Sequence, residues 1–388
     1  MRNKKKIIRA CTVSLSIDFF DEIMKRMRDD GYEMVAVTSP GPELDKLRDE
    51  DGFHCVAVPM ERQISLFKDF VSLVRMIRVL WQEKPYIVHS MTPKAGLVCM
   101  IAGWLTRVPI RIHTFTGLVW PTAVGMKRKV LMTTDKILCA CATHVIPEGQ
   151  GVLNDLKNYG VCKKPMKVLG YGNVKGVDME RFDPARFDKK TNDDGTFVFL
   201  FVGRIVGDKG INELVEAFSD LHDTYKNTRL RLVGRYEKEL DPVSEETQKI
   251  IDTCEGIMVV GPKYGEDLLQ EYANADCFVM PSYREGFPNT VLEAGAMGLP
   301  QVVTDINGSR EIISDIIESV GNVVICKNGI VIPPKDSDSL YEAMTLIMID
   351  NGMRNDFATN ARTMIYERFE KSFIQNCLMV YYKAIIDR

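Results

Sequence analysis

Short apolar runs alternate along this chain with longer segments whose apolar positions recur at helical spacing. Such alternation is the pattern of parallel sheets in which each strand is followed by a helical crossover. In the first half, residues 7–14, 34–38, 55–58, 87–89, 110–113 and 144–146 read as strands, and residues 19–30 and 65–83 as amphipathic helices. The pattern restarts with strands at 196–202, 230–233, 258–260, 277–280, 301–304 and 329–332, and a last helical run covers 373–386. Between the halves, residues 176–195 contain Asp178, Pro184, Asn192, Asp193 and Asp194 with little apolar periodicity, which marks a domain junction.

Length and composition agree with two cores. At 388 residues with 45% hydrophobic content the chain exceeds what one hydrophobic core organises, and its Gly and Pro are scattered rather than clustered. The net charge of -3 conceals an asymmetry: residues 1–174 hold 26 Lys+Arg against 17 Asp+Glu, or +9, leaving 50 − 26 = 24 basic and 53 − 17 = 36 acidic groups, or −12, for the rest. A basic half favours an anionic partner such as an acidic membrane surface, a diphosphate-bearing acceptor or nucleic acid.

The 10 cysteines form no C-x-x-C pair, and Cys139 and Cys141 have no second Cys/His pair at zinc spacing, so reduced core thiols are expected. The basic start Met1-Arg2-Asn3-Lys4-Lys5-Lys6 is followed by an apolar stretch interrupted at Arg9, unlike a cleavable signal. Residues 95–105, the longest apolar stretch, count 11, against the roughly 20 that a membrane-spanning helix needs. A soluble or peripheral protein is the expectation.

Two segments carry chemistry. In Phe201-Val202-Gly203-Arg204-Ile205-Val206-Gly207-Asp208-Lys209-Gly210, a buried strand ends in glycine and is followed by two cations. Strand ends of such sheets open onto ligand crevices, where Arg offers a planar fork and Lys a point charge to a diphosphate. The second, Pro281-Ser282-Tyr283-Arg284-Glu285-Gly286-Phe287-Pro288-Asn289-Thr290-Val291-Leu292-Glu293-Ala294, follows the strand 277–280. Pro288 suits a first helical turn, which puts the amides of Asn289 and Thr290 toward a bound phosphate and Glu293 on the helix face. Carboxylates suit hydroxyl donors: Glu293 for a ribose, Glu285 for a transferred sugar. The bland alternatives are solvated charges after a strand and two ordinary surface glutamates.

These residues resemble glycosyltransferase family four, the retaining GT-B enzymes, and within it the bacterial capsule and O-antigen branch. The resemblance spans nearly the whole chain. Its anchors are Gly203-Arg204…Lys209-Gly210 and Glu285…Glu293, supported by His89…Thr92-Pro93-Lys94-Ala95-Gly96, residues 111–117 and residues 176–182. It implies an α/β architecture of two Rossmann-like doubly wound parallel-sheet domains facing a central cleft. Residues 1–175 would bind the acceptor, with a helix at 369–388 packing back on them, and residues 176–368 would bind the nucleotide-sugar donor.

By the same resemblance Arg204 and Lys209 would hold the donor diphosphate, Glu293 the ribose, and Glu285 with the backbone of Gly286 and Phe287 the transferred sugar. The base would lie near Gly261-Pro262-Lys263. His113 matches a first-domain histidine against the donor sugar, beside two alternatives: a core histidine, or Thr116 as the matching position. Where relatives carry a Gly-Gly turn after the first strand, this chain has Ser14-Leu15-Ser16.

The implied reaction is sugar transfer, with retention, from a UDP-sugar or other nucleoside-diphosphate sugar to a glycan or lipid-linked sugar, on the undecaprenyl-diphosphate carrier. Catalysis would rest on Arg204, Lys209, Glu285 and His113, with no cofactor and no metal. Asp336 and Asp338, at Asp-x-Asp spacing, follow Pro333-Pro334 and read as a helix cap. Met126-Lys127-Arg128-Lys129-Val130 reads as a solvated basic face or a docking site for anionic lipid on the inner face of the cytoplasmic membrane. A GT-B epimerase and a noncatalytic sugar-nucleotide-binding subunit stand as rivals. A dehydrogenase is disfavoured, because no G-x-G-x-x-G follows the first strand of either half.

Overall fold

The computed structural model describes residues 5–61, 65–188, 195–237 and 241–387. The chain divides into two compact units, one running to Lys175 and resuming at Ser372, the other comprising Gly176–Lys371. Asn192, Asp193 and Asp194 lie outside the described residues.

The first unit is built on a six-stranded sheet of β1 (Lys6–Ala10), β2 (Glu33–Thr38), β3 (His54–Ala57), β4 (Ile87–Met91), β5 (Ile110–Phe115) and β6 (His144–Pro147). All pairings are parallel and the order is β3-β2-β1-β4-β5-β6. β1 ends near Ala10 rather than running to Ser14: the Cys11 amide still reaches the Val37 carbonyl at 3.1 Å, but Thr12 N turns to Thr92 Oγ1 at 3.0 Å, and a 3-10 turn begins at Ser14. Apolar side chains fill both faces. One face is covered by the adjacent helices Leu66–Glu83, Pro93–Leu105 and Gly125–Cys141, and the other by Asp21–Asp29 and the final helix Lys371–Ile386.

That last helix is held by buried polar groups. Arg9 on β1 and His89 on β4 are register neighbours. Arg9 Nη1 donates to His89 Nδ1 (2.9 Å) and to the Tyr382 hydroxyl (2.8 Å), and His89 Nε2 meets Thr114 Oγ1 at 2.7 Å. Because Nδ1 accepts, the imidazole is neutral with its proton on Nε2; burial and the adjacent guanidinium push its pKa well below the usual value. An unmatched member of such a network costs ~1–3 kcal/mol.

The second unit repeats the parallel order with β7 (Phe197–Val202), β8 (Thr228–Val233), β9 (Ile257–Gly261), β10 (Cys277–Met280), β11 (Gln301–Thr304) and β14 (Gly329–Ile332), arranged β14-β11-β10-β7-β8-β9. This sheet is not wholly parallel. An antiparallel hairpin, β12 (Ile316–Val320) and β13 (Val323–Cys326), extends it beyond β14. The apolar pattern gave no hint of β12, whose residues are all exposed. The turn pairs Gly321-Asn322 and Lys327-Asn328 were the available signal.

All cysteines are free, and the Cys139 thiol meets Cys162 rather than Cys141. Asp336 caps the helix Ser337–Ile349, accepting from the Ser339 amide at 2.9 Å. No helix among the described residues is long and apolar enough to cross a membrane.

Candidate active site

In an open parallel sheet the strand order reverses at one point, and the loops leaving the two strands there diverge to opposite faces and leave a crevice. In the second unit that point lies between β7 and β10. The loop after β7 carries Arg204 and Lys209, and the loop after β10 carries Glu285 and leads into the helix Asn289–Ala296.

The two loops touch through backbone. Gly210 has φ +70°, and a Cβ there would stand 2.0 Å from the Pro281 carbonyl oxygen. The Tyr283 amide donates to the Asp208 carbonyl at 2.9 Å. A third loop, after β11, closes on the second: a Cβ on Gly308 (φ +77°) would lie 2.5 Å from the Gly286 oxygen. Glycine at 210 and 308 is thus what lets three strand ends converge.

Side chains complete the arrangement. Lys209 is ion-paired to Glu285. Arg204 Nη1 donates to Glu237 Oε2 at 2.7 Å, and its Nη2 lies 4.0 Å from Asp208 Oδ1. Glu237 also holds Arg235 (3.0 Å), and Asp208 holds Arg284 (2.8 Å). Burial alone would lower the Arg204 pKa, but the bond to Glu237 and the surrounding carboxylates reverse that and raise it. For Glu237, burial works against ionisation, and the arginines overcome it and lower its pKa. Both stay charged at neutral pH. Tyr283 donates to both oxygens of Glu213, at 2.6 and 2.8 Å, bracing the loop.

The helix Asn289–Ala296 starts at Pro288, which offers no side-chain cap, and places half-buried Asn289 and Thr290 in its first turn. Glu293 lies on its face, half-buried, and its Oε2 accepts from the Tyr272 hydroxyl at 3.0 Å. Phe287 turns its ring into the core against Phe369, 5.3 Å between centroids, so only its backbone remains for a ligand. Gly261, Pro262 and Lys263 stand at the end of the edge strand β9. They share no hydrogen bond or ion pair with Arg204 or Lys209 among the described residues; the Gly234 amide, bonded to the Gly261 carbonyl at 3.0 Å, ties that edge to the end of β8.

His113 belongs to the other unit, on β5. It is 1% exposed, its Nδ1 is 2.9 Å from Ser90 Oγ, and its ring crowds Gly96 so closely that a Cβ there would come within 2.4 Å. Burial lowers its pKa to about 3. This is the surrounding of a satisfied core histidine, one of the readings open from the sequence, whereas Thr116 lies half-exposed just past the strand end. At the switch point of this unit, between β1 and β4, hydroxyls meet at the strand ends: Thr12 Oγ1 and Thr92 Oγ1 lie 2.7 Å apart and the Ala95 amide donates to Thr12 Oγ1 at 3.2 Å, while Lys94 is paired with Asp69 at 2.6 Å. Ser14 bonds Glu43.

Glu237, Arg235, Arg284 and Gly308 had not been singled out from the sequence. A glycine directly after β8, followed by Arg235 and Glu237, was a signal of the same kind as Gly203-Arg204, one strand further along.

Comparison with known proteins identifies the family. Residues 183–364 match the family described as glycosyl transferases group 1, and residues 18–172 match the glycosyl transferase 4-like domain. The chain is 32% identical to the capsular polysaccharide biosynthesis glycosyltransferase CapM of Staphylococcus aureus, covering 100% of this chain and 98% of that protein. It is 29% identical to the Escherichia coli UDP-Gal:alpha-D-GlcNAc-diphosphoundecaprenol alpha-1,3-galactosyltransferase, over 85% of this chain and 83% of that one. Among solved structures, Anabaena HepE in complex with UDP superposes with a TM-score of 0.76 at 18% identity, covering 98% of this chain and 100% of that chain, a likeness of fold. Two parallel-sheet α/β units, charged loops at the second switch point and a full-length relative converge on one conclusion: the chain belongs to the glycosyl transferases group 1, glycosyltransferases of the GT-B fold.

Proposed function

We propose that this glycosyltransferase moves a sugar from a UDP-sugar onto a sugar carried by undecaprenyl diphosphate, in the synthesis of a capsular or O-antigen-type polysaccharide, with retention of configuration and without a metal ion. The observation that carries it is the pairing of Lys209 with Glu285 across the β7/β10 strand ends, with Arg204 close enough to feel the Glu285 charge. The activity for which the E. coli relative is named supports the donor and the lipid diphosphate.

Breaking the bond between the sugar and the diphosphate builds negative charge on the leaving group, and fixed positive groups stabilise that charge most where water is excluded. Arg204, Lys209 and the first turn of the helix Asn289–Ala296 would supply them. Glu293 would accept the ribose hydroxyls with Tyr272 holding its far oxygen, and Gly261-Pro262-Lys263 would receive the base. Glu285 would accept hydroxyls of the transferred sugar. Its pairing with Lys209 favours that positioning role over attack on the anomeric carbon. The acceptor hydroxyl would then enter on the face the diphosphate leaves: the bond to the acceptor oxygen forms, the bond to phosphate breaks, and a phosphate oxygen takes the proton. Asp336 is spent on a helix cap, which removes the Asp-x-Asp spacing as a metal ligand pair. Of the two first-unit candidates we favour Thr116, which is half-exposed, over the buried His113 as the one open to a ligand.

Release of UDP from a panel of UDP-sugars, with and without a lipid-diphosphate sugar acceptor, tests this. Acceptor-dependent release and a product of the donor's anomeric configuration are expected, and Glu285→Gln lowers kcat about 100-fold while UDP affinity does not fall. An isomerised free sugar would mean an epimerase, the absence of any product a binding subunit, and loss of activity to a chelator a metal enzyme.

Membrane association has its own support. The helix Gly125–Cys141 exposes Lys127 and Lys129 with Met126 and Val130, while Arg128 folds back 5.2 Å from the Tyr159 ring centre. Beyond the intervening helix Pro93–Leu105, the helix Leu66–Glu83 exposes Leu66, Phe67 and Phe70 near its start. Basic groups beside apolar ones fit an anionic bilayer surface.

A further inference from the structure

Every cation proposed to hold the diphosphate is already engaged. Lys209 is paired with Glu285, and the terminal nitrogens of Arg204 face Glu237 at 2.7 Å and Asp208 at 4.0 Å. A diphosphate bound by Arg204 would compete with two carboxylates for it.

Each of those carboxylates has a second cation. Glu237 presents Oε2 to Arg204 and Oε1 to Arg235, at 3.0 Å. Asp208 presents Oδ2 to Arg284, at 2.8 Å, while its Oδ1, the oxygen nearer Arg204, is buried without a hydrogen bond. Neither would be left unpaired if Arg204 turned away, and an unpaired charge in a half-buried site is what makes such a break expensive. Glu237 has few other ways to be satisfied, since its side chain is 12% exposed, whereas that of Arg235 is 55% exposed and can follow it.

We propose, on the reading of the site given above, that Arg204 is exchanged between Glu237 and the donor diphosphate. Glu237 occupies the guanidinium as a built-in competitor. When the diphosphate binds, Arg204 passes to it and Glu237 closes on Arg235, with Arg284 holding Asp208 in the same way. The arrangement sets the affinity for the nucleotide below what the cations alone would give, and it returns a partner to Arg204 when UDP leaves. Glu237 and Arg235 are thereby affinity-setting residues that need not touch the substrate.

Titration calorimetry with UDP, on the full chain, tests the exchange. Glu237→Gln tightens UDP about tenfold, by removing the competing charge. Turnover falls as product release slows, while kcat/KM for the donor does not fall. Arg235→Met leaves Glu237 with Arg204 alone and weakens UDP about threefold. Because Arg235 acts only through Glu237, Arg235→Met has no effect in the Glu237→Gln background. Weaker or unchanged UDP binding by Glu237→Gln, or an equal loss from Arg235→Met in both backgrounds, overturns the exchange. Failure of the unsubstituted protein to bind UDP, GDP or ADP overturns instead the reading of the site on which it rests.

Discussion

The two units share one parallel strand order and use charge in opposite ways. In the first, Arg9 and His89 sit side by side in the middle of the sheet, buried, and bond Tyr382 of the final helix. In the second, Arg204 and Lys209 sit past the end of β7, half-buried, among carboxylates from their own loop and from two other segments. The comparison teaches that topology supplies a crevice, and position along the strand decides what a charge does there. In mid-strand a polar group must be satisfied by the interior and becomes a structural tie; past the strand end it can exchange partners with solvent or ligand.

Removing the cation at the second switch point should have the largest effect. Arg204→Ala lowers kcat/KM for the donor by about 100- to 1,000-fold with little change in the urea midpoint. A loss of stability without that loss of rate would place Arg204 with the structural ties instead.

The first unit should respond in stability. Tyr382→Phe leaves Arg9 and His89 short of a hydroxyl and costs ~1–3 kcal/mol by urea unfolding, with kcat unchanged. Loss of turnover without loss of stability would move this network into the active site.

Acid sharpens the same contrast. The folded imidazole of His113 titrates at about 3 and the unfolded one near 6.5, so below pH 6.5 the unfolded chain binds the extra proton and stability is lost as pH falls toward 3. Asp135, buried against Trp120 with its pKa raised to about 7, works the other way: it adds stability that is present in acid and fades as pH rises through about 7. Comparing His113→Gln with the unsubstituted protein isolates the imidazole. Between pH 7 and 5 the variant should lose about 2 kcal/mol less, one titrating group at ~1.4 kcal/mol per pH unit. Equal pH slopes would show that the His113 ring is open to solvent.

The smallest effect is expected at the surface. Lys127→Glu with Lys129→Glu should weaken binding to vesicles containing anionic lipid severalfold and leave UDP affinity unchanged. Equal vesicle binding would make this helix face an ordinary solvated one.

Much of the second unit's site was legible because its groups lie in two continuous stretches, 203–210 and 285–293, each beginning where an apolar strand ends. Glu237 was less so: Gly234-Arg235 marks a strand-end loop like Gly203-Arg204, but nothing in that loop says that Glu237 pairs with Arg204, 33 residues away. The bonds of Arg9 span still more: 80 residues to His89 and 373 to Tyr382. β12 escaped for another reason: an edge strand exposed along its whole length need not alternate, so periodicity says nothing about it.

The linear order of residues alone determined that strands and crossovers alternate, that the sheets are parallel over most of their width, and where two cations and two glutamates leave strand ends. These follow from local periodicity and from the short reach of a turn. Tertiary structure decided which carboxylate each cation faces, that His113 is interior, and that the last helix is tied to the first strand. Such pairings depend on which strands become neighbours, and that is set by the packing of whole faces rather than by any local stretch of chain.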